Sequence, residues 1–86
     1  MELKDTIDLM NSKDYKKRFI AEYLQVKIRY NKLLNMLMKW DKGELEFKPD
    51  VPRMFYNKQI ISMNDYIKVL EERAKIEKID LSKYTI

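Results

Sequence analysis

Four cations crowd one short stretch of the chain: Lys13, Lys16, Lys17 and Arg18. Side chains of this kind bind phosphate, lysine as a point charge and arginine through a two-pronged guanidinium. A helix N-terminus beside them would add backbone donors. The same run also reads as the solvated face of a helix, which is the commoner use of lysine-rich stretches. Lys27 and Arg29 extend the positive charge, although residues two apart diverge on a helix. Tyr23 offers a ring on which a base can stack, worth roughly 1–3 kcal/mol. The competing use of that ring is core packing with the hydroxyl at the rim. Arg73 lies far along the chain and is a partner either for a ligand or for Glu22. The candidate ligand-binding set is therefore Lys13, Lys16, Lys17, Arg18, Tyr23, Lys27, Arg29 and Arg73. Cations so dispersed would have to be gathered from more than one copy of the chain.

Other chemistry is poorly provided for. The 86 residues include no histidine and no cysteine. The commonest general base, the commonest metal ligand and all thiolate chemistry are thereby missing. The single glycine, Gly43, cannot build a glycine-rich phosphate loop. Serine occurs only at Ser12, Ser62 and Ser82, with no histidine to activate it. Glu71 and Glu72 are adjacent and would not converge on one site from a helix. The expected protein is not an enzyme and carries no cofactor and no metal.

The elements that position the cations are legible in the apolar spacing. Phe19, Tyr23, Val26, Tyr30, Leu33, Leu37 and Trp40 recur at gaps of 4 and 3, and neither Gly nor Pro interrupts residues 12–42. This predicts one long amphipathic helix over 13–42, with Ser12 as N-cap and Gly43 as C-cap. Tyr56, Ile60, Met63, Ile67, Leu70 and Ala74 repeat the pattern and predict a second helix over 52–78, with Asp50 as N-cap. Leu3, Ile7 and Met10 predict a short helix over 2–11. Residues 43–51 form a loop in which Leu45 and Phe47 fold over the hairpin end, and 79–86 form a tail. The expected fold is all-α: a single domain over 1–86, built as a long antiparallel helical hairpin with a short N-terminal helix. Pairing Trp40 with Phe55 sets a register in which Tyr30 faces Tyr66, Glu22 faces Arg73 and Arg18 faces Glu77. Glu22 with Arg73, and Gln59 with Tyr66, either line a polar pocket between the helices or form a cross-hairpin salt bridge and a register-setting hydrogen bond. Ile20, Leu24 and Ile28 widen the apolar face beyond what one partner helix covers. That strip is where a further copy, in a helical-bundle oligomer, or a target would bind.

The net charge of +4 is placed unevenly. Residues 13–42 hold nine cations against three acids, whereas residues 43–86 hold eight of each. An excess of this kind on one helix attracts an anionic partner. No apolar run approaches the ~18 residues of a membrane span. The first residues lack the basic start and apolar core of a signal peptide. The expected location is the cytoplasm.

The stretch from Asp14 to Leu33, with Gln59, Met63, Tyr66, Leu70, Glu71 and Arg73 further on, resembles a family of short phage and prophage accessory proteins named after an open reading frame of a crAss-like phage. The likeness covers about residues 5–81, including Gly43, Leu45, Phe47 and Pro52. It implies a phage origin, a host bacterial cytoplasm and an accessory role, with no particular activity. Thr6-Ile7-Asp8-Leu9-Met10-Asn11 is similar to a stretch of helical-hairpin anti-CBASS sponge proteins. Those proteins oligomerise and sequester cyclic nucleotides; no binding residue transfers from them. Three readings follow. The first is a homo-oligomeric sponge for an anionic, nucleotide-derived immune signal of cyclic oligonucleotide or ADP-ribose type. The second is an inhibitor that binds a host defence protein through its basic helix, as an anti-CRISPR does. The third is weak, salt-dependent nucleic-acid binding.

Overall fold

In the computed structural model every element is helical. The structure describes residues 1–84 and 86, so residue 85 of the expected tail lies outside the described residues. A 3-10 turn, Leu3–Thr6, runs into the short helix α1, Ile7–Met10. The long helix α2 spans Tyr15–Asp41 and α3 spans Arg53–Glu77. The predicted hairpin and its short N-terminal helix are thus present, with each end of the long helices set in by one or two residues from the expectation. No strand occurs among the described residues, and no helix is long and apolar enough to cross a membrane.

Both long helices end by the same backbone device. After α2, Glu44 N–H donates to the Lys39 carbonyl at 2.9 Å and Gly43 adopts φ +71°. After α3, Ile79 N–H donates to the Ala74 carbonyl at 2.8 Å and Lys78 adopts φ 57°. In each case a left-handed residue satisfies the last carbonyls and throws the chain sideways. The start of α2 differs from the expectation. Asp14, not Ser12, is the N-cap, accepting from Lys16 N–H at 2.9 Å, while Ser12 Oγ accepts from Asp14 N–H at 3.0 Å. The two side chains act in series, each one step along the chain. At α3 the N-cap is Pro52 rather than Asp50, and no side chain caps it.

At the loop end, Arg53 closes the hairpin. Its guanidinium donates to both Asp41 oxygens, at 2.7 and 3.3 Å, and lies 5.1 Å from the Trp40 ring centre. Trp40 meets the edge of Tyr56, not Phe55, with ring centres 6.0 Å apart. Phe55 is exposed because it sits about 100° around the helix from Tyr56. Leu45 is half-buried beneath the loop, but Phe47 stays exposed and does not fold over the end.

The core lies toward the other end. Phe19, Ile20, Tyr23 and Leu24 of α2 pack with Ile67, Leu70 and Ala74 of α3 and with Ile79 of the tail. The expectation that Ile20, Leu24 and Ile28 form an open strip fails: all three are buried, Leu24 completely. The chain covers them itself. The N-terminal segment folds back along α2, and Leu9 and Ile79 close over the strip. Thr6 is 0% exposed yet fully bonded, donating to the Leu3 carbonyl at 2.7 Å and accepting from Gln25 Nε2 at 2.9 Å. The seam is less completely covered than its regularity implies. Val26, Tyr30, Leu33 and Trp40 are only half-buried.

The matched helix ends give a paired expectation. A Cβ at Gly43 would meet nothing within 4 Å, so only backbone strain acts there. Gly43→Ala should lower stability by about 1 kcal/mol, and Lys78→Gly should raise it by a similar amount. Urea unfolding followed by circular dichroism reads both. Equal midpoints for Lys78→Gly and the parent would contradict this account.

Candidate functional site

The clustered cations at the start of α2 do not form one site. At about 100° per residue, Lys16, Lys17 and Arg18 fan across roughly 200° of the helix surface. Lys13 sits in the turn before it. Lys13, Lys16 and Lys17 are exposed, and Arg18 donates to the Ser12 carbonyl at 2.9 Å. Arg18 therefore does not meet Glu77: it lies about a quarter turn off the seam that begins at Phe19. The cluster is a collar around the hairpin's open end.

The structure sorts the remaining candidates onto two sides. On one side, Arg18, Glu22 and Arg29 of α2 fall within about 40° of one another. Facing them across the groove stand Tyr66 and Arg73 of α3. Tyr66 OH donates to a Glu22 carboxylate oxygen. Arg73 Nη2 donates to Tyr15 OH at 3.0 Å, and Tyr15 OH donates to Glu77 Oε1 at 2.5 Å. Arg73 also pairs with Glu77 at 3.5 Å and lies 4.8 Å from the Phe19 ring centre. The expected Glu22–Arg73 bridge is absent among the described residues. Competing partners account for this: the Tyr23–Glu71 bond sets Glu22 nearly level with Arg73, yet Glu22 bonds elsewhere. It takes Tyr66, leaving Gln59 without that partner, and Arg73 takes Tyr15.

Charge is largely answered on this face. Desolvation works against the Arg73 cation, but the Tyr15 hydroxyl and the carboxylates of Glu77 and Glu22 outweigh it, and its pKa rises. The hydrogen bond to Glu77 is the main cause holding the Tyr15 hydroxyl above its ordinary value, and Glu22 does the same to Tyr66. Arg73 is therefore a fixed, oriented cation, with Phe19 behind its plane. Tyr15 and Tyr66 are exposed rings tethered by their hydroxyls. A planar anionic ligand laid on this face would meet aromatic surface and guanidinium together.

Tyr23 and Lys27 lie on the opposite side of the hairpin, with Lys16. Tyr23 is buried and its OH donates to Glu71 Oε2 at 2.9 Å. Lys27 Nζ is 5.9 Å from the Tyr30 ring centre. Tyr23, Glu71 and Lys75 border an open cleft of about 480 Å³ whose far wall is Asp80 and Ser82 of the tail. Ser82 donates to Asp80 through both hydroxyl and backbone N–H, which holds the Asp80 carboxyl below its ordinary value. A second open cleft, of about 500 Å³, lies under the loop between Trp40, Phe47 and Val51. None of the candidate arginines lines either cleft. The candidate ligand-binding set leaves out Tyr15, Tyr66 and Glu77, although the register already places Tyr66 opposite Tyr30 and Glu77 opposite Arg18. The available signal was that Tyr15, Glu22 and Arg29 recur every seven residues, as do Gln59, Tyr66 and Arg73.

Fold and surface together define a small all-helical protein whose polar groups lie on an open hairpin face. The chain belongs to the Sequestin family, whose model matches residues 13–76. The match covers both long helices and the loop and stops short of the N-terminal segment and the tail. No curated protein and no solved structure matches this chain.

Tyr23 yields an alkaline signature. Burial, followed by the bond to Glu71, pushes its hydroxyl from 10.0 up to about 12. The folded chain therefore keeps this proton where the unfolded chain loses it. The stability it brings is complete below pH 10 and disappears as the pH rises through 12. Tyr23→Phe should flatten the fall in unfolding free energy across that window, measured by urea titrations at stepped pH. A Tyr23→Phe slope identical to that of the parent would show that Tyr23 does not carry the effect.

Proposed function

We propose that the protein is a phage accessory anti-defence protein that sequesters a nucleotide-derived immune signal without turning it over. The ligand class is a cyclic oligonucleotide or an ADP-ribose-type molecule, met in the host bacterial cytoplasm. One observation carries this reading. A chain of a family named for sequestration places Arg18, Arg29 and Arg73 with Tyr15 and Tyr66 on one face. Phosphates match the guanidinium groups and bases or adenine match the rings. The chain supplies no histidine or cysteine for general-base or thiolate chemistry, so retention rather than conversion is what its side chains suit. The face is open, and a second copy laid over it would turn it into an enclosed site. Lys13, Lys16, Lys17 and Lys27 supply long-range attraction, and Tyr23 serves packing.

A second reading, an inhibitor bound to a host defence protein, draws on the absence of the arginines from both clefts. An open, convex basic face suits a protein surface as well as a small molecule.

Isothermal titration of the full chain against cyclic di- and trinucleotides and ADP-ribose derivatives separates the two. The expected result is one tight ligand, recovered chemically intact after heat denaturation of the complex. Arg29→Ala should weaken that binding about tenfold or more, since a charge-assisted hydrogen bond contributes roughly 1.5–3 kcal/mol. Its unfolding midpoint should stay at the parental value. A flat panel, with one stoichiometric host protein retained in a pull-down, would replace the sponge by the inhibitor.

A further inference from the structure

Helix α3 is apolar on two sides. The inner side carries Ile67, Leu70 and Ala74, all buried. On the opposite side Met54, Ile61, Val69 and Ile76 are all exposed, Ile61 at 61% and Ile76 at 81%. These four fall within about 80° of arc, roughly opposite the inner row. Lys58, Asp65 and Glu72 lie in the same arc and are exposed as well. The seven residues of this outer row are separated by 4, 3, 4, 4, 3 and 4 positions. That order reads the same in both directions from Asp65. It is also an 11-residue repeat, close enough to the helical period to hold a row on one side over its whole length.

We infer that the outer face of α3 is an interface between two copies of this chain, packed antiparallel about a twofold axis at Asp65. In a twofold contact residue i meets j and j meets i. With Asp65 on the axis, Met54 meets the partner's Ile76 and Ile61 meets the partner's Val69. Lys58 then meets the partner's Glu72, and the pair occurs twice. This charge match is what identifies the occupant. A row symmetric in its apolar positions alone would accept like charges at 58 and 72; here the signs are opposite. Parallel packing would set Lys58 against Lys58 and Glu72 against Glu72. Asp65 meets its own copy and opposes association while both carboxylates are charged. The contact is one helix wide, so it belongs with small, concentration-dependent interfaces. It rests on α3 alone and is independent of what the arginine face binds.

Sedimentation equilibrium of the full chain over a wide concentration range tests it. The parent should sediment as a monomer–dimer mixture. Ile61→Glu should weaken association about tenfold or more, a change of ~1.4 kcal/mol, with unchanged helical circular dichroism because the site is exposed. Lys58→Glu and Glu72→Lys should each weaken it, and the two together should restore it. Asp65→Asn should tighten it. A monomer at every concentration would overturn the proposal. So would an assembly indifferent to Ile61→Glu, or a double charge swap no better than its single members.

Discussion

Two helices side by side cannot cover an apolar face as wide as that of α2, and the rest of the molecule is arranged around this deficit. Phe19, Tyr23, Val26 and Tyr30 line the seam with α3, and Ile20, Leu24 and Ile28 widen the apolar face beyond what α3 alone covers. Exposed, those three would forgo roughly 1.5–3 kcal/mol each. The chain recruits its own ends as additional walls. The N-terminal segment lies back along α2, and the left-handed turn at Lys78 swings Ile79 over the same region. Gln25, itself half-buried, fastens the N-terminal wall with a hydrogen bond to the fully buried Thr6 hydroxyl. Such a bond costs little when made and much when broken, because the buried partner would be left unpaired. Cover is most complete toward the open end of the hairpin, although Leu37 near the loop is buried too. Toward the loop Trp40 is half-buried, and Met38, Phe47, Val51, Met54 and Phe55 are exposed.

The polar groups follow from the same arrangement. Three tyrosine hydroxyls cross from one long helix to a glutamate on the other: Tyr15 to Glu77, Tyr23 to Glu71 and Tyr66 to Glu22. Each bond ties a tyrosine on one helix, buried at Tyr23 and exposed at Tyr15 and Tyr66, to a carboxylate on the other, so it fixes the longitudinal register without burying a charge. A plain salt bridge on an exposed surface would contribute less, since solvent screens it and two flexible side chains must be held. The two outer pairs leave aromatic rings standing on the surface beside Arg73, which Phe19 and Tyr15 hold in one orientation. Packing and the exposed polar surface are thus served by the same side chains. This is how a domain with so small an interior can display preorganised polar groups at all.

Most of the fold was legible because it depends on period. A 4-3 spacing sustained from Phe19 to Trp40, and again from Tyr56 to Ala74, admits little besides two long helices in antiparallel contact. Misreadings arose where period is silent. Asp14 and Ser12 are both good caps, and only the path of the chain decides which takes the N-cap position. Both Tyr66 and Arg73 come near Glu22, so the apolar register alone cannot choose its partner. Ile20, Leu24 and Ile28 were correctly seen as a strip that one helix does not cover, yet the cover came from residues 3–10 and 79. Nothing in the local pattern of those segments states where they dock. The collar of Lys13, Lys16, Lys17 and Arg18 shows the opposite weakness: neighbours in sequence are dispersed by the helix, whereas Glu22, Arg29, Tyr66 and Arg73 are gathered by it.

The family match ends where the recruited walls begin, and that boundary has a physical sense. Residues 13–76 contain the arginine face, the tyrosine–glutamate crossings at Glu22 and Glu71, and the whole outer row of α3. The N-terminal segment and tail lie outside it; they seal Leu24 and its neighbours, and the tail also walls the cleft beside Tyr23. Sealing can be achieved by many sequences, because burying an apolar strip demands volume and little geometry. Holding a cation against a ring, or matching a charge to its twofold mate, demands particular residues at particular levels. A protein that acts by retention needs only the latter to be specific. Closing water out of the wide face of α2 thus asks less of the chain ends, residue by residue, than the crossings and the outer row ask of the hairpin.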